Sequence, residues 1–247
     1  MTIAEEYQNQ SNWRNWESYL AYLPIRPEDT ILDLGCGTGV VTQLLAQRAS
    51  QVIGIDINAD LIHAAKTMNH SSNIEYLTAD LKQLTNENLP LVDGIWTSFT
   101  VAYFPEFAPI LENWLKLLKP NGWIAIVEMS DLFGHAPVSP ETRAKFKSYY
   151  ERQRSRHLYD FEMGRKVKDF VVDKGLKIQL EQTKSDRELS FMGPADKDIV
   201  TAWENRLNRM VALQDFLGSD VFPAIKAEFL ACLTHEKHTS TTEVKFI

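Results

Sequence analysis

Short apolar runs alternate with helically spaced apolar positions through the first half of the chain. Thr30 to Leu34 is apolar apart from Thr30 and Asp33, and it stops at Gly35. That is the pattern of a strand buried on both faces. From Val40 to Ala49, the residues Val40, Val41, Leu44 and Leu45 fall at helical spacing. Gln51 to Ile55 reads as a second strand, Ile74 to Leu77 as a third and Leu91 to Thr97 as a fourth. Leu61, Ile62, Ala65 and Met68 form the face of an intervening helix. Phe107 to Leu118 places Ile110, Leu111, Trp114, Leu115 and Leu118 on one side of another helix, which Pro120, Asn121 and Gly122 stop. Trp123 to Val127 is a fifth strand. This alternation predicts an α/β fold with a parallel, doubly wound sheet. Ligands of such sheets bind beyond the carboxyl ends of the strands, where the strand order reverses.

The pattern changes after Glu128. Residues 131–162 mix aromatic and charged residues, with Pro137 and Pro140 near the start, and predict a helical cover. Arg165 to Lys174 is a helix ended by Gly175, followed by a strand over Leu176 to Gln182. Residues 195–234 are largely helical by the spacing of Trp203, Leu207, Met210, Leu213 and Phe216. Thr242 to Ile247 is expected to pair with the 176–182 strand. The expected organisation is one domain over residues 1–247 with two cover segments.

The formal net charge of −7 disfavours a nucleic-acid partner. The basic run of Lys145, Lys147, Arg152, Arg154 and Arg156 is interrupted by Glu151 and reads as a solvated helix. Two cysteines, Cys36 and Cys232, make neither a disulfide framework nor a zinc spacing. The polar N-terminus and the lack of a long apolar stretch predict no membrane partner and a reducing, cytoplasmic location. Composition leaves the oligomeric state open.

Three short motifs carry chemistry. Ile31-Leu32-Asp33-Leu34-Gly35-Cys36-Gly37-Thr38-Gly39 runs a strand into a glycine loop and then a helix. Gly35 and Gly37 allow close backbone approach to a ligand, and the helix N-terminus favours a negative group. Val40 stands where the dinucleotide fingerprint has its third glycine or alanine. Asp56, in Val52-Ile53-Gly54-Ile55-Asp56-Ile57, is placed to accept from ribose hydroxyls, since Asn58 is free to cap the next helix. Asp80 follows the third strand and is placed to accept from an adenine amino group; alone it would read as a turn residue.

Together these motifs resemble the class I S-adenosylmethionine (SAM)-dependent methyltransferases, over roughly residues 28–130. Leu118-Lys119-Pro120-Asn121-Gly122-Trp123 is similar to that family's "LKPGG" turn, with Asn121 in place of a glycine. The resemblance implies a Rossmann-like, doubly wound sheet of seven strands, the last antiparallel, with a helical cover over the carboxyl ends. It implies SAM as cofactor and S-adenosylhomocysteine as product. The backbone at Gly35, Cys36 and Gly37 would hold the methionine part and Asp33 its ammonium. Asp56 would take the ribose, Ile57 would pack on adenine, and Asp80 with the Leu81 backbone would read the adenine edge. The Ser98 carbonyl would meet the ammonium group.

The acceptor side is expected from three places. The N-terminus offers Tyr7, Trp13 and Trp16; the two tryptophans are expected on one helix face, with Trp13 against the cofactor. The loop after the fourth strand offers Tyr103 and Phe104. The segment after the fifth offers Glu128, Asp131, His135, His157, Tyr159 and Asp160. His135 is the expected general base because its pKa lies near neutrality, with Glu128 and Asp131 orienting it or binding a cationic amine. Tyr159-Asp160-Phe161 and Gly164-Arg165-Lys166 read as a joint between cover and core. His235 and His238 read as a polar helix end, so no metal is expected. The strand-four loop Thr97-Ser98-Phe99-Thr100 lacks the "NPPY" of DNA amino-methyltransferases, and no Pro-Cys pair of cytosine-C5 enzymes occurs. A small metabolite methylated on oxygen or nitrogen is the expected acceptor. The alternatives are a SAM-binding regulatory protein without turnover, and an NAD-dependent oxidoreductase, which Val40 disfavours.

Overall fold

The computed structural model describes residues 2–247. In chain order its elements are α1 (Ile3–Asn12), α2 (Glu17–Leu20), β1 (Thr30–Leu34), α3 (Val40–Ala46), β2 (Gln51–Asp56), α4 (Ala59–Met68), β3 (Ile74–Thr78), β4 (Val92–Ser98), α5 (Phe107–Leu115) and β5 (Leu118–Ser130). There follow β6 (His135–Ala136), α6 (Pro140–Ser155), α7 (Met163–Asp173), β7 (Gln182–Lys184), α8 (Lys197–Arg209), α9 (Val211–Leu217), α10 (Phe222–Leu233), β8 (Thr239–Ser240) and β9 (Glu243–Phe246).

Seven strands form one sheet in the order β3-β2-β1-β4-β5-β9-β7, with β9 antiparallel to both its neighbours. The expected Rossmann-like, mostly parallel sheet is present. Ile31 and Leu32 point to opposite faces and enter different apolar cores, as strand periodicity requires. Helices α5 and α7 fill one face around Phe107, Trp114 and Met163. The other face continues from Trp96 and Phe246 into the cover at Phe133, Phe146, Trp203 and Phe229. Each such side chain, buried whole, contributes about 1.5–3 kcal/mol relative to exposure.

The register sets the site. Leu34 lies opposite Ile55 on one side and Thr97 on the other. The next residues, Gly35, Asp56 and Ser98, therefore leave the sheet in one row, at the point where strand order reverses between β1 and β4. Asn121 takes φ +65°, the left-handed backbone expected where the motif carries glycine.

Four elements differ from expectation. The helix expected to reach Leu118 ends at Leu115, and Leu118 instead opens β5 opposite Val92; the Pro120-Asn121-Gly122 segment is an irregularity inside that strand, because the register then jumps to Gly94 opposite Trp123. Leu176, Ile178 and Leu180 keep strand alternation, but the ladder starts only at Gln182, which lies opposite Phe246 near the end of β9. Alternation buries a side-chain row without a partner strand to pair its backbone. Trp13 and Trp16 do not share a helix: α1 ends at Asn12, Trp13 is its C-cap, and Trp16 precedes α2. Ser11, Asn12 and Asn15 favour turn hydrogen bonds there over helix. The cover also contains the antiparallel pair β6–β8 besides helices.

Candidate active site

The glycine loop is shaped by hydrogen bonds to β2. The N–H groups of Gly35 and Cys36 both donate to the Ile55 carbonyl, at 2.8 and 3.1 Å. Gly35 has φ +77°, and a Cβ there would lie 2.1 Å from Thr100 Oγ1. Gly37 has φ +54°, and a Cβ there would meet only Tyr7, at 3.9 Å. The backbone at Gly37 thus faces open space, as a ligand approached through its main chain requires. Cys36 is half-buried, and burial, then Asp33, push its thiol up, so it is a protonated loop residue.

Asp33 is 2% exposed and accepts from Thr42 Oγ1 at 2.6 Å, and from the Thr42 backbone, with no ion pair among the described residues. Burial raises its pKa to about 7, with Thr42 opposing and Asp56 adding to the rise. A buried carboxylate without a cation is the complement of an ammonium group. Asp56 Oδ2 accepts from Gly37 N and Oδ1 from Asn58 N, both at 2.9 Å. Asn58 caps α4, so Asp56 is not the helix cap. A carboxylate has about four acceptor positions, so each oxygen of Asp56 keeps one for a hydroxyl. Ile57 is 67% exposed, an apolar side chain left bare beside it. Asp80 caps the turn at Leu81–Gln83 through Lys82 N. The Ser98 carbonyl accepts from Thr100 Oγ1 at 3.0 Å.

Glu128 is wholly buried at the end of β5. It accepts from Ala102 N at 3.1 Å and Met129 N at 2.9 Å. Burial raises its pKa to about 7 against these bonds. Its place is under the turn Val101–Tyr103, so it positions Tyr103 and does not reach out as a base. Tyr103 keeps 55% of its surface open and meets Tyr159 edge-on, ring centroids 4.8 Å apart. Burial of its hydroxyl raises its pKa to about 12, with Tyr7 and Glu128 adding.

Two expected site residues lie elsewhere. His135 is 0% exposed within the cover, its Nδ1 2.9 Å from Nε2 of His238 and its ring against Phe191, Trp203 and Phe229. Burial, then His238 and Arg143, lower its pKa to about 3. It is a structural histidine, and His238 is its buried partner, not part of a polar surface. Trp13 lines a recess of about 440 Å³ with Arg14, Lys184 and Asp186, and Arg187 lies over its ring at 5.5 Å. Tyr7, not Trp13, is the α1 residue beside Gly37.

Asp131 is engaged with Thr241 Oγ1 and Tyr150, and His157 with Glu106. The expected joint exists: Asp160 N donates to the Ala102 carbonyl at 2.8 Å, its carboxylate pairs with Lys166, and Arg165 N donates to Ser130 Oγ. The sequence reading missed Arg14, Glu188 and Arg206. Glu188 is 1% exposed and takes Arg206 on one oxygen and Arg14 on the other, the latter at 3.1 Å. Arg209 pairs with Glu6. These contacts hold α1 and α8 together beside Tyr7.

Residues 32–126 match the family model described as a methyltransferase domain. A demethylmenaquinone methyltransferase of Lactobacillus johnsonii is 28% identical over 149 residues, 58% of this chain and 58% of that protein. A trans-aconitate 2-methyltransferase of Azoarcus sp. is 33% identical over 106 residues, 42% of this chain and 40% of that protein. The chain thus matches about half the length of these curated relatives. The solved S-adenosylmethionine-dependent methyltransferase of Mesorhizobium loti has TM-score 0.54 and 18% identity, covering 94% of this chain and 96% of that one. That likeness extends the shared fold beyond residue 126.

Proposed function

We infer, from a chain whose residues 32–126 form a methyltransferase domain, that this protein transfers a methyl group from SAM to an oxygen or nitrogen atom of a small-molecule acceptor. The observation that carries this is the row at the strand ends: open glycine backbone, a buried carboxylate without a cation, a second carboxylate with free acceptor positions, and the bare Ile57. A cofactor with an amino-acid end, a ribose and an aromatic base needs these in that order.

In this reading Asp33 and the Ser98 carbonyl would hold the ammonium group. Gly35, Cys36 and Gly37 would hold the methionine chain, Asp56 the ribose hydroxyls, Ile57 one adenine face, and Asp80 with the Leu81 N–H the adenine edge. Bound, SAM supplies a methyl already activated on a sulfonium, which leaves its electron pair on sulfur as the acceptor's lone pair bonds to carbon. The protein then has to align the acceptor and exclude water. Tyr7 and Tyr103 stand on the acceptor side of the loop, and Glu128 holds the Tyr103 turn in place. Tyr103, a neutral phenol with its pKa near 12, donates a hydrogen bond and does not take a proton at neutral pH.

Incubation with methyl-labelled SAM and a cell extract is expected to move label into a new small molecule that chromatography separates from SAM, in amounts above those of an Asp56→Ala control. Label confined to nucleic acid or protein would contradict the small-molecule acceptor.

A further inference from the structure

We propose that the methyl acceptor is an anion, and that its carboxylate is received by the guanidinium of Arg206 together with the hydroxyls of Tyr7, Tyr103 and Tyr159. This rests on the methyltransferase reading above and names the acceptor class for that site.

Hydrogen-bond donors and acceptors at this site are unequal in number. Among the acidic groups around the Tyr7 side of the glycine loop, Asp56 is the one with free acceptor positions, and it is assigned above to the ribose; the others are engaged. Glu188 has a guanidinium on each oxygen, Asp186 pairs with Arg14, and Glu128 accepts two backbone N–H groups. The groups left over are donors. Arg206 Nε is buried and has no partner. The hydroxyls of Tyr7, Tyr103 and Tyr159, none of them in a fully buried residue, make no hydrogen bond to another described residue. Gln10, one turn along α1 from Tyr7, is 7% exposed, and its amide nitrogen is also unpaired. Of these donors, Arg206 Nε and the Gln10 amide are buried without a partner among the described residues, and such groups cost free energy. A ligand rich in acceptor oxygens removes that cost.

Arg206 on α8 and Tyr7 on α1 are brought together by the Arg14–Glu188–Arg206 and Glu6–Arg209 ion pairs. Tyr7 stands beside Gly37, and Tyr103 packs on Tyr159. Burial raises all three phenols, while the Arg206 charge acts on each in the opposite sense. Arg206 itself is fixed from behind by Glu188 and lies over the Trp203 ring at 5.2 Å. A planar guanidinium held on one edge presents its other N–H groups in the geometry that matches a carboxylate. The same aromatic walls would suit a cationic amine by ring attraction. Arg206 opposes that charge, and Glu188, the carboxylate it meets, is paired on both oxygens.

The test uses the full chain saturated with S-adenosylhomocysteine, whose binding is measured first by calorimetry. Succinate, citrate and 4-hydroxybenzoate are then titrated, each beside its primary amide, with benzylamine as the cationic probe. At least one acid is expected to bind, its amide at least about tenfold more weakly. Arg206→Gln is expected to weaken that acid about tenfold or more without changing S-adenosylhomocysteine affinity. Tyr159→Phe removes one hydroxyl without touching the Glu188 pairing, and is expected to weaken the acid severalfold. S-adenosylhomocysteine binding with no acid bound, equal binding of acid and amide, preference for benzylamine, or acid affinity unchanged in both variants would each overturn the proposal. Failure of S-adenosylhomocysteine itself to bind would remove the underlying methyltransferase reading instead.

Discussion

Alanine at Asp56 is expected to weaken SAM binding by about 100-fold or more, roughly 2.7 kcal/mol. Two losses add. The ribose hydroxyls lose a charged acceptor, worth about 1.5–3 kcal/mol per hydrogen bond. The loop also loses its brace, because Asp56 Oδ2 holds Gly37 N and Oδ1 holds Asn58 N. Asp56→Asn keeps the shape and one acceptor oxygen, so it should fall between the two. His135→Gln is the contrast. It disturbs a buried histidine pair in the cover, so it should lower the melting temperature while SAM affinity in the folded protein stays within about twofold, a change under about 0.5 kcal/mol. Calorimetric titration of the three variants decides this. Wild-type affinity in Asp56→Ala would remove the residue from the cofactor site.

Alanine at Gly35 is expected to abolish measurable SAM binding and to destabilise the fold by roughly 3 kcal/mol. The backbone there is left-handed, φ +77°, which costs a residue with a Cβ about 1–2 kcal/mol. The new Cβ would also sit 2.1 Å from Thr100 Oγ1 and 2.6 Å from its Cγ2. Thr100 has little freedom to yield, since it is 9% exposed and its hydroxyl is bonded to the Ser98 carbonyl. Pairing Gly35→Ala with Thr100→Ala removes both of those atoms. The double variant should recover part of the lost stability, read from urea midpoints, but not the part due to backbone strain. A stable Gly35→Ala protein with unchanged SAM affinity would contradict this account of the loop.

The proposed cofactor half is legible because its residues sit on local signals. Asp33, Asp56 and Asp80 each lie at the end of an apolar run, and parallel pairing brings successive run ends into one row. Asn121 is legible for the same reason, at a fixed offset from the apolar run that starts at Trp123, although the strand itself begins earlier, at Leu118. The acceptor half depends on pairs distant in sequence. Glu188 meets Arg14 across 174 residues, and His135 meets His238 across 103. No periodicity encodes such pairs. His135 looked catalytic because a loop histidine after a strand carries a near-neutral pKa by default. In the fold it enters a two-residue ladder under Trp203 and Phe229, and burial removes that property. The strand expected at 176–182 shows the limit from the other side. Alternation marks which side chains are buried, and only the partner decides where hydrogen bonding begins.

The most direct test is a calorimetric comparison of SAM and NAD on the unaltered chain. The buried Asp33 carboxylate attracts an ammonium and repels a pyrophosphate, and Val40 occupies the position where a dinucleotide loop has its third glycine or alanine. SAM is predicted to bind one per chain and more tightly than NAD by at least about 1,000-fold, roughly 4 kcal/mol. Tight binding of NAD with none of SAM would contradict the account.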